Sequence, residues 1–377
     1  MHFLNRVYLL VQHSNNLESK TSMNPYLSYK LKILSLFAIL LVVYIHAYTF
    51  ELAPHFGALT QQKSYNSFIQ DYISQGVARI AVPLFFSISG YLFFLNFKPS
   101  VGGFLKKYQK RFRTLVVPFL LWSLYGILLY FVLQLAPNSE LFFKNRLIRN
   151  FDLPQFFSTW LKHPIPYQLW FLRDLIFLVL LSPLVWFYVR YLKEAGIALL
   201  IVLWVWLFDL DLFQTESLLF FSLGALLSFR SGLLLKQHTS NTTYLVLLAW
   251  LLLILLKTWL SHIDFDPALA VRLVHKAAIL VGIVAAWMIF DKAFLGREAK
   301  ESRMLWFASF SFFIYAFHEP VLTIFKKGLF FLLGTTDPVT LLVYLTAPLV
   351  VIALSVLAGL ILQKLLPWLY ALLTGGR

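Results

Sequence analysis

The stretch Leu31–Glu51, LKILSLFAILLVVYIHAYTFE, decides how the chain is read. It has the roughly 20 mostly apolar residues that a helix needs to cross a bilayer. One imidazole, His46, lies toward its far end. An ionisable group inside a spanning helix is costly to insert and reads as a functional site by default. The rest of the chain is therefore read by what reaches His46, and from which side.

Hydrophobic residues make up 60% of the 377, charged residues 13%, and mean hydropathy is +0.75. A soluble domain carries about 25% charged residues. Apolar runs recur at roughly 31–50, 77–97, 115–136, 167–188, 196–212, 216–230, 242–261, 271–291, 304–325 and 338–363. The expected fold is all-α: a polytopic integral membrane protein with about ten transmembrane helices. The short fifth and sixth runs are divided by Asp209, Asp211 and Glu216 and read as a tight hairpin or a re-entrant pair, and Pro348 is expected to kink the last. Residues 1–29 form a polar N-terminal cytoplasmic segment without a signal-peptide pattern, and Met23 is an alternative start. Residues 30–370 form one transmembrane domain, and 371–377 a tail.

The net charge of +15 is not read as a nucleic-acid signal, because the basic residues sit between apolar runs, where they set orientation and meet lipid headgroups. The absence of cysteine excludes disulfides, thiolate metal sites and a cysteine nucleophile. No metal motif appears, since His318-Glu319 lacks a second ligand at helical spacing.

Lys and Arg counts place both termini on the cytoplasmic side. That side takes Lys20, Lys30, Lys32, the run from Lys98 to Arg113, Arg190, Lys193, Arg230, Lys236, Lys292, Arg297, Lys300, Arg303, Lys364 and Arg377. The outer side keeps only Lys63, Lys144, Arg146, Arg149, Lys162, Lys326 and Lys327. In this topology His46, Arg79, Trp170, Arg173, His318 and Glu319, from four separate helices, fall at one outer depth. Intramembrane charges of this kind face one another or a wet cavity. On the inner side, KKYQKRFR (Lys106–Arg113) carries five basic residues in eight, which anchor the chain or bind phosphate.

At these positions the chain resembles the membrane acyltransferase-3 family, polytopic O-acyltransferases of cell-surface polysaccharides. Arg79–Tyr91, RIAVPLFFSISGY, is similar to the family's RxxVPLFFxxSG block. The first run ending in His46 resembles its catalytic helix. KRFRTLVVPFLLW (Lys110–Trp122), LWFL (Leu169–Leu172) and FIYAFHEPV (Phe313–Val321) resemble its further blocks, in order. One departure stands out: the family's arginine eleven residues before the histidine is Ser35 here. Ser35 and His46 share a helix face about 16 Å apart, and Lys32, one turn earlier, can partly replace that arginine. Some members carry an added C-terminal esterase-like domain; ending at Arg377, this chain reads as a stand-alone form.

The resemblance implies an acyl-CoA donor, most simply acetyl-CoA, and a hydroxyl acceptor on an envelope glycan or lipid-linked glycan in a bacterial inner membrane. His46 is the expected general base, because an imidazole titrates near neutral pH and can take the hydroxyl proton. Either Glu319 orients it or His318 faces it; these neighbours differ by about 100° on a helix, so one of the two points inward. Lys110, Arg111 and Arg113, with Lys32 and Ser35, are expected at the CoA site. Arg79, Trp170 and Arg173 are expected at the acceptor, with Arg173 also able to pair with Asp174. Ser87, Ser89 and Gly90 read as small residues for close helix packing. Membrane lipids and the acceptor are the expected partners, nucleic acid is not, and self-association as a homo-oligomer is left open. The competing reading is an exporter of a polysaccharide or its lipid-linked precursor, which has no need of a CoA site.

Overall fold

The computed structural model describes residues 23–49, 63–137, 139, 143, 147–206, 213–230, 232–263, 268–296 and 302–376, and every regular element among them is helical. Expectations resting on residues 1–22, on Asp209 and Asp211, and on Lys144, Arg146, Arg297, Lys300 and Arg377 lie outside the described residues.

Helix α1 (Pro25–Ala47) begins where Pro25 supplies a pre-set φ and the Asn24 side chain accepts from Leu27 N. A Ser64/Ser67 capping box starts α2 (Tyr65–Ser74), which passes through Gly76 and a 3-10 turn (Val77–Ile80) into α3 (Ala81–Phe94). Helix α4 (Val101–Arg111) runs through a π turn (Phe112–Val116) into α5 (Val117–Gln134). After α6 (Leu153–Leu161), a 3-10 turn (Tyr167–Leu169) leads into α7 (Trp170–Leu180) and α8 (Ser182–Trp206). Then come α9 (Thr215–Phe229), the short α10 (Gly232–Leu235), α11 (Thr242–His262) and α12 (Ala268–Phe294). The chain closes with α13 (Ser302–Ala308), α14 (Ser311–Leu333), α15 (Asp337–Leu365) and α16 (Pro367–Thr374).

Among the described residues, six helical stretches are long and apolar enough to cross a membrane: 25–47, 65–94, 101–134, 242–262, 268–294 and 337–365. A seventh results if 167–180 and 182–206, which meet at 69°, form one broken span. The fourth expected run therefore crosses a bend. A second turn follows at Lys193 (φ 49°), where Tyr188 Oη donates to Gly196 O at 2.7 Å. Helix α9 has 15 residues and spans about 22 Å, short of a hydrocarbon core about 30 Å thick. Helix α15 passes through Pro348 as one element.

Helix α1 is the central rod, packing on α3, the Val77–Ile80 turn, α13, α14 and α15. Buried aromatics dominate the core beside it: Phe86, Phe93, Phe220, Phe221 and Phe313. Helices α3 and α9 approach each other closely. A Cβ on Gly90 would strike the Phe221 carbonyl, and one on Gly224 the Ser87 carbonyl, so this crossing requires both glycines.

Two buried lysines tie α1 down. Lys30 Nζ donates to Asp291 Oδ1 at 2.7 Å, lies 3.7 Å from the Trp287 ring centroid, and fastens one end of the rod to α12. Tyr26 Oη and His238 N also donate to Asp291, so the carboxylate is well satisfied. At the other end Lys326 Nζ donates to His46 O at 2.6 Å and Tyr48 O at 3.2 Å. A cation on the last carbonyls of a helix meets both unpaired acceptors and the negative end of the dipole.

Candidate active site

A cavity of about 740 Å³ follows α1 for most of its length. Ser28, Leu31, Lys32, Ser35, Ile39, Val42, Ile45 and His46 line it, a stripe repeating every three or four residues. From Ser28 to His46 this stripe covers about 27 Å. The opposite wall comes from α3 (Val82, Phe85, Ser89), the α4–α5 junction (Arg111, Leu115), α7 (Trp170, Phe171) and α14 (Phe312, Tyr315). Lys32 and Arg111 stand toward one end. Toward the other stand His46, Arg79, Tyr167, Gln168, Gln214 and Glu216.

His46 is half-buried, its ring centroid 5.2 Å from that of His318 and 5.6 Å from that of Tyr167. His318 is fully buried. Its Nδ1 lies 3.1 Å from Ile314 O, which makes Nδ1 the protonated nitrogen, and its Nε2 has no hydrogen-bond partner among the described residues. Of the two neighbours, His318 is the one whose ring meets His46. The Glu319 carboxylate accepts from Thr323 Oγ1 at 3.1 Å.

Sequence logic explains the break beneath these residues. Pro320 has no N–H and cannot bond the carbonyl of Ala316, four residues back, and Glu319 leaves the helical region (φ −111°, ψ 138°). Gln168 Nε2 takes up both freed carbonyls, Ala316 O at 3.0 Å and Glu319 O at 3.1 Å. Tyr315 Oη returns a bond to Gln168 O at 2.8 Å. The Tyr167–Leu169 turn and broken α14 thus form one unit around the paired histidines. Gln168 also lines the cavity, and its buried Oε1 has no hydrogen-bond partner among the described residues.

The other expected residues separate into two groups. Lys32, Ser35, Arg111, Arg79 and Trp170 line the cavity. Arg79 is steered by Gln75 Oε1, to which its Nε donates at 2.9 Å, and Trp170 packs near Phe86. Lys110 and Arg113 are exposed and stand off the cavity wall. Arg173 also stands off it: Nη1 donates to Lys162 O at 2.8 Å and Nη2 lies 3.4 Å from Asp174. Asp174 in turn accepts from Gln214 N and Ser217 Oγ, both at 3.0 Å, fixing the start of α9 and thereby Gln214 and Glu216 at the cavity. The sequence pattern assigns no site role to Lys326, Gln168, Gln214 or Glu216: it sets Lys326 among the outer cations and Glu216 at the divide between the fifth and sixth runs. Among the described residues no group of three or more His, Asp or Glu is placed to hold a metal.

Apolar helices of spanning length, packed around a cavity, mark a multi-pass membrane protein. The class follows from comparison. Residues 29–362 match the model of the acyltransferase-3 family, described as an acyltransferase domain, and the chain belongs to that family. It is also similar to the succinoglycan biosynthesis protein ExoH of Rhizobium meliloti (strain 1021), 24% identical over 371 residues, which cover 94% of each chain. No solved structure matches it significantly.

Proposed function

We propose that the chain moves an acyl group, most simply acetyl, from acyl-CoA to a hydroxyl of a cell-envelope glycan or lipid-linked glycan. The observation that carries this reading is the continuous cavity linking the Lys32–Arg111 end to His46. Arg111 and Lys32 receive the phosphates of CoA, with Lys110 and Arg113 as an exposed basic collar outside. The slender, uncharged pantetheine arm lies along the Ser35–Ile39–Val42 face and brings the thioester to His46. The acceptor enters beside Arg79 and Trp170, and Arg173 shapes that mouth through Lys162 and Asp174.

In the reaction His46 takes the acceptor O–H proton as the oxygen attacks the thioester carbonyl. The C–S bond breaks, the new C–O ester bond remains, and the His46 proton passes to the departing CoA thiolate. His318, with its Nε2 lone pair turned into the same buried space, positions the His46 ring, and Glu319 holds the break that makes room for both. A glycan acceptor is supported by the relative's role in succinoglycan biosynthesis. Ten crossings of the inner membrane, both termini cytoplasmic and one transmembrane domain over 30–370 complete the reading, and the helices of spanning length support its multi-pass character.

The test is labelled acetyl-CoA given to membrane vesicles that contain native envelope precursors. Wild type labels the glycan or lipid-glycan fraction, and His46→Ala at equal expression does not. Full labelling by His46→Ala ends the proposal, and absence of labelling in both shifts the reading to export.

A further inference from the structure

The His46 end of the cavity holds a carboxylate that the transfer step leaves unused. Gln214 and Glu216 stand on the cavity wall at the start of α9, at the same end as Arg79, Tyr167 and Trp170. Three other helices fix their place. Asp174, fully buried on α7, accepts from Gln214 N and Ser217 Oγ, so the first turn of α9 is pinned one turn along α7 from Trp170. From α8, Trp204 Nε1 donates to Glu216 Oε2 at 3.0 Å. From α12, Lys276 Nζ lies 3.8 Å from the same oxygen and 4.0 Å from the Trp204 ring centroid. Trp204 and Lys276 stand off the cavity wall, so the indole and the ammonium brace the carboxylate from behind.

This is more than a helix start requires. An acidic residue in a first turn gains from the helix dipole without a braced position of its own. Glu216 keeps 20% of its side-chain surface open and lines the cavity. A carboxylate offers about four lone-pair positions and takes hydrogen bonds only from donors, so the indole leaves it capacity for more. The neighbouring groups narrow the ligand. The Gln214 amide both donates and accepts, and the Arg79 guanidinium, steered by Gln75, donates. Tyr167 and Trp170 add aromatic surface. An anionic group set against the Glu216 carboxylate is repelled. An uncharged ring carrying several hydroxyls satisfies such a wall.

We propose that Glu216, with Gln214, determines acceptor specificity: its carboxylate accepts hydrogen bonds from neighbouring hydroxyls of an uncharged sugar residue. It thereby selects a ring with an unsubstituted vicinal diol beside the hydroxyl that His46 deprotonates. Lys276 and Trp204 are positioning residues for that carboxylate. Calling the sugar an acceptor rests on the acyltransferase reading; the hydroxyl-reading wall does not.

The experiment measures binding to the full chain in nanodiscs, with no acyl donor present. The probes are the sugar-labelled lipid-linked precursor fraction and the glycan fraction of the host envelope, each before and after periodate cleavage of its vicinal diols and borohydride reduction. Wild type is expected to bind one untreated fraction about tenfold or more tighter than its treated counterpart, because a site built to bond hydroxyls rejects a ligand that lacks them. Glu216→Ala closes that gap; if it does not fold, Gln214→Ala, outside the ion pair, replaces it and narrows the gap. In the vesicle assay, Glu216→Ala should raise the KM for acceptor about tenfold and leave the KM for acetyl-CoA within about twofold, a split that a merely structural role does not produce. Lys276→Met should show the same split at smaller amplitude. Wild type that binds neither fraction, or binds treated and untreated material alike, overturns the proposal, as does an undiminished gap in the alanine variant. With no donor in the binding assay, failure there leaves the transfer reading standing. That reading fails on His46-independent or absent acyl transfer.

Discussion

Replacing Lys326 with methionine removes the two bonds that hold the last carbonyls of α1. Lys326 is 2% exposed and reaches His46 O at 2.6 Å and Tyr48 O at 3.2 Å. Each charge-assisted bond is worth about 1.5–3 kcal/mol, and methionine keeps most of the packing while supplying no donor. The final turn of α1 therefore loses about 3 kcal/mol, counting one bond in full and allowing for water or a neighbour at the other. A bias of that size is roughly 100-fold in population, and a displacement of about 1 Å at a catalytic group costs roughly as much in rate. The kcat for acyl transfer should fall about 100-fold. The KM for acetyl-CoA should hold, because the Lys32 end of the cavity lies about 20 Å away along the rod. Initial rates in vesicles at varied acetyl-CoA measure both constants, and Lys326→Arg should recover part of kcat. A Lys326→Met chain with kcat within about threefold of wild type, or with its whole loss in KM, refutes the reasoning.

At the opposite end of the rod, Asp291→Ala leaves Lys30 buried and uncompensated. It should destabilise the chain by about 3–5 kcal/mol in detergent unfolding, while Lys30→Met with Asp291→Leu recovers most of the loss. Gln168→Leu strands the Ala316 and Glu319 carbonyls at about 1–3 kcal/mol each, visible as a lowered unfolding midpoint and faster hydrogen exchange around Pro320. Among the inner cations, Arg111→Ala should raise the KM for acetyl-CoA about tenfold, and Lys110→Ala or Arg113→Ala by less than about threefold, because only Arg111 reaches the cavity. Equal effects at the three positions would place the phosphates on the outside of the bundle.

Much of the site was legible because a helix repeats its faces. The spacing of Lys32, Ser35 and His46 put them on one side of α1, and all three line one cavity. Charge in apolar runs pointed to Arg79, whereas the backbone break at Glu319 was not among the expectations from the sequence, although Pro320 supplies its cause. The small residues of the second run, with Gly90 against Phe221, did pack a close crossing. Other parts depend on contacts between distant segments. Lys326 looked like a loop cation because residue counting cannot show that a lysine folds back onto the end of another helix. Gln168 carries no charge signal, and its role exists only because Pro320, some 150 residues later, frees a carbonyl. Successive residues of a helix face different ways, so the basic run does not act as one unit: Lys107 turns onto Phe93 and Phe97, Lys110 and Arg113 are exposed, and Arg111 lines the cavity. The bend between α7 and α8 falls at Leu181, just before Ser182-Pro183, a helix-start signal set inside a run that hydropathy alone reads as one span.

The central claim is that the cavity along α1 carries the acyl donor from the Arg111 end to His46. Sealed inside-out vesicles, given labelled acetyl-CoA on the cytoplasmic face alone, test it most directly when wild type is compared with Ile39→Trp, which fills the cavity midway, and with His46→Ala. Label reaching acceptor enclosed within the vesicles in wild type, and in neither variant, is the predicted result. Wild-type labelling that survives Ile39→Trp at normal rate would contradict the claim and place the donor path outside the cavity.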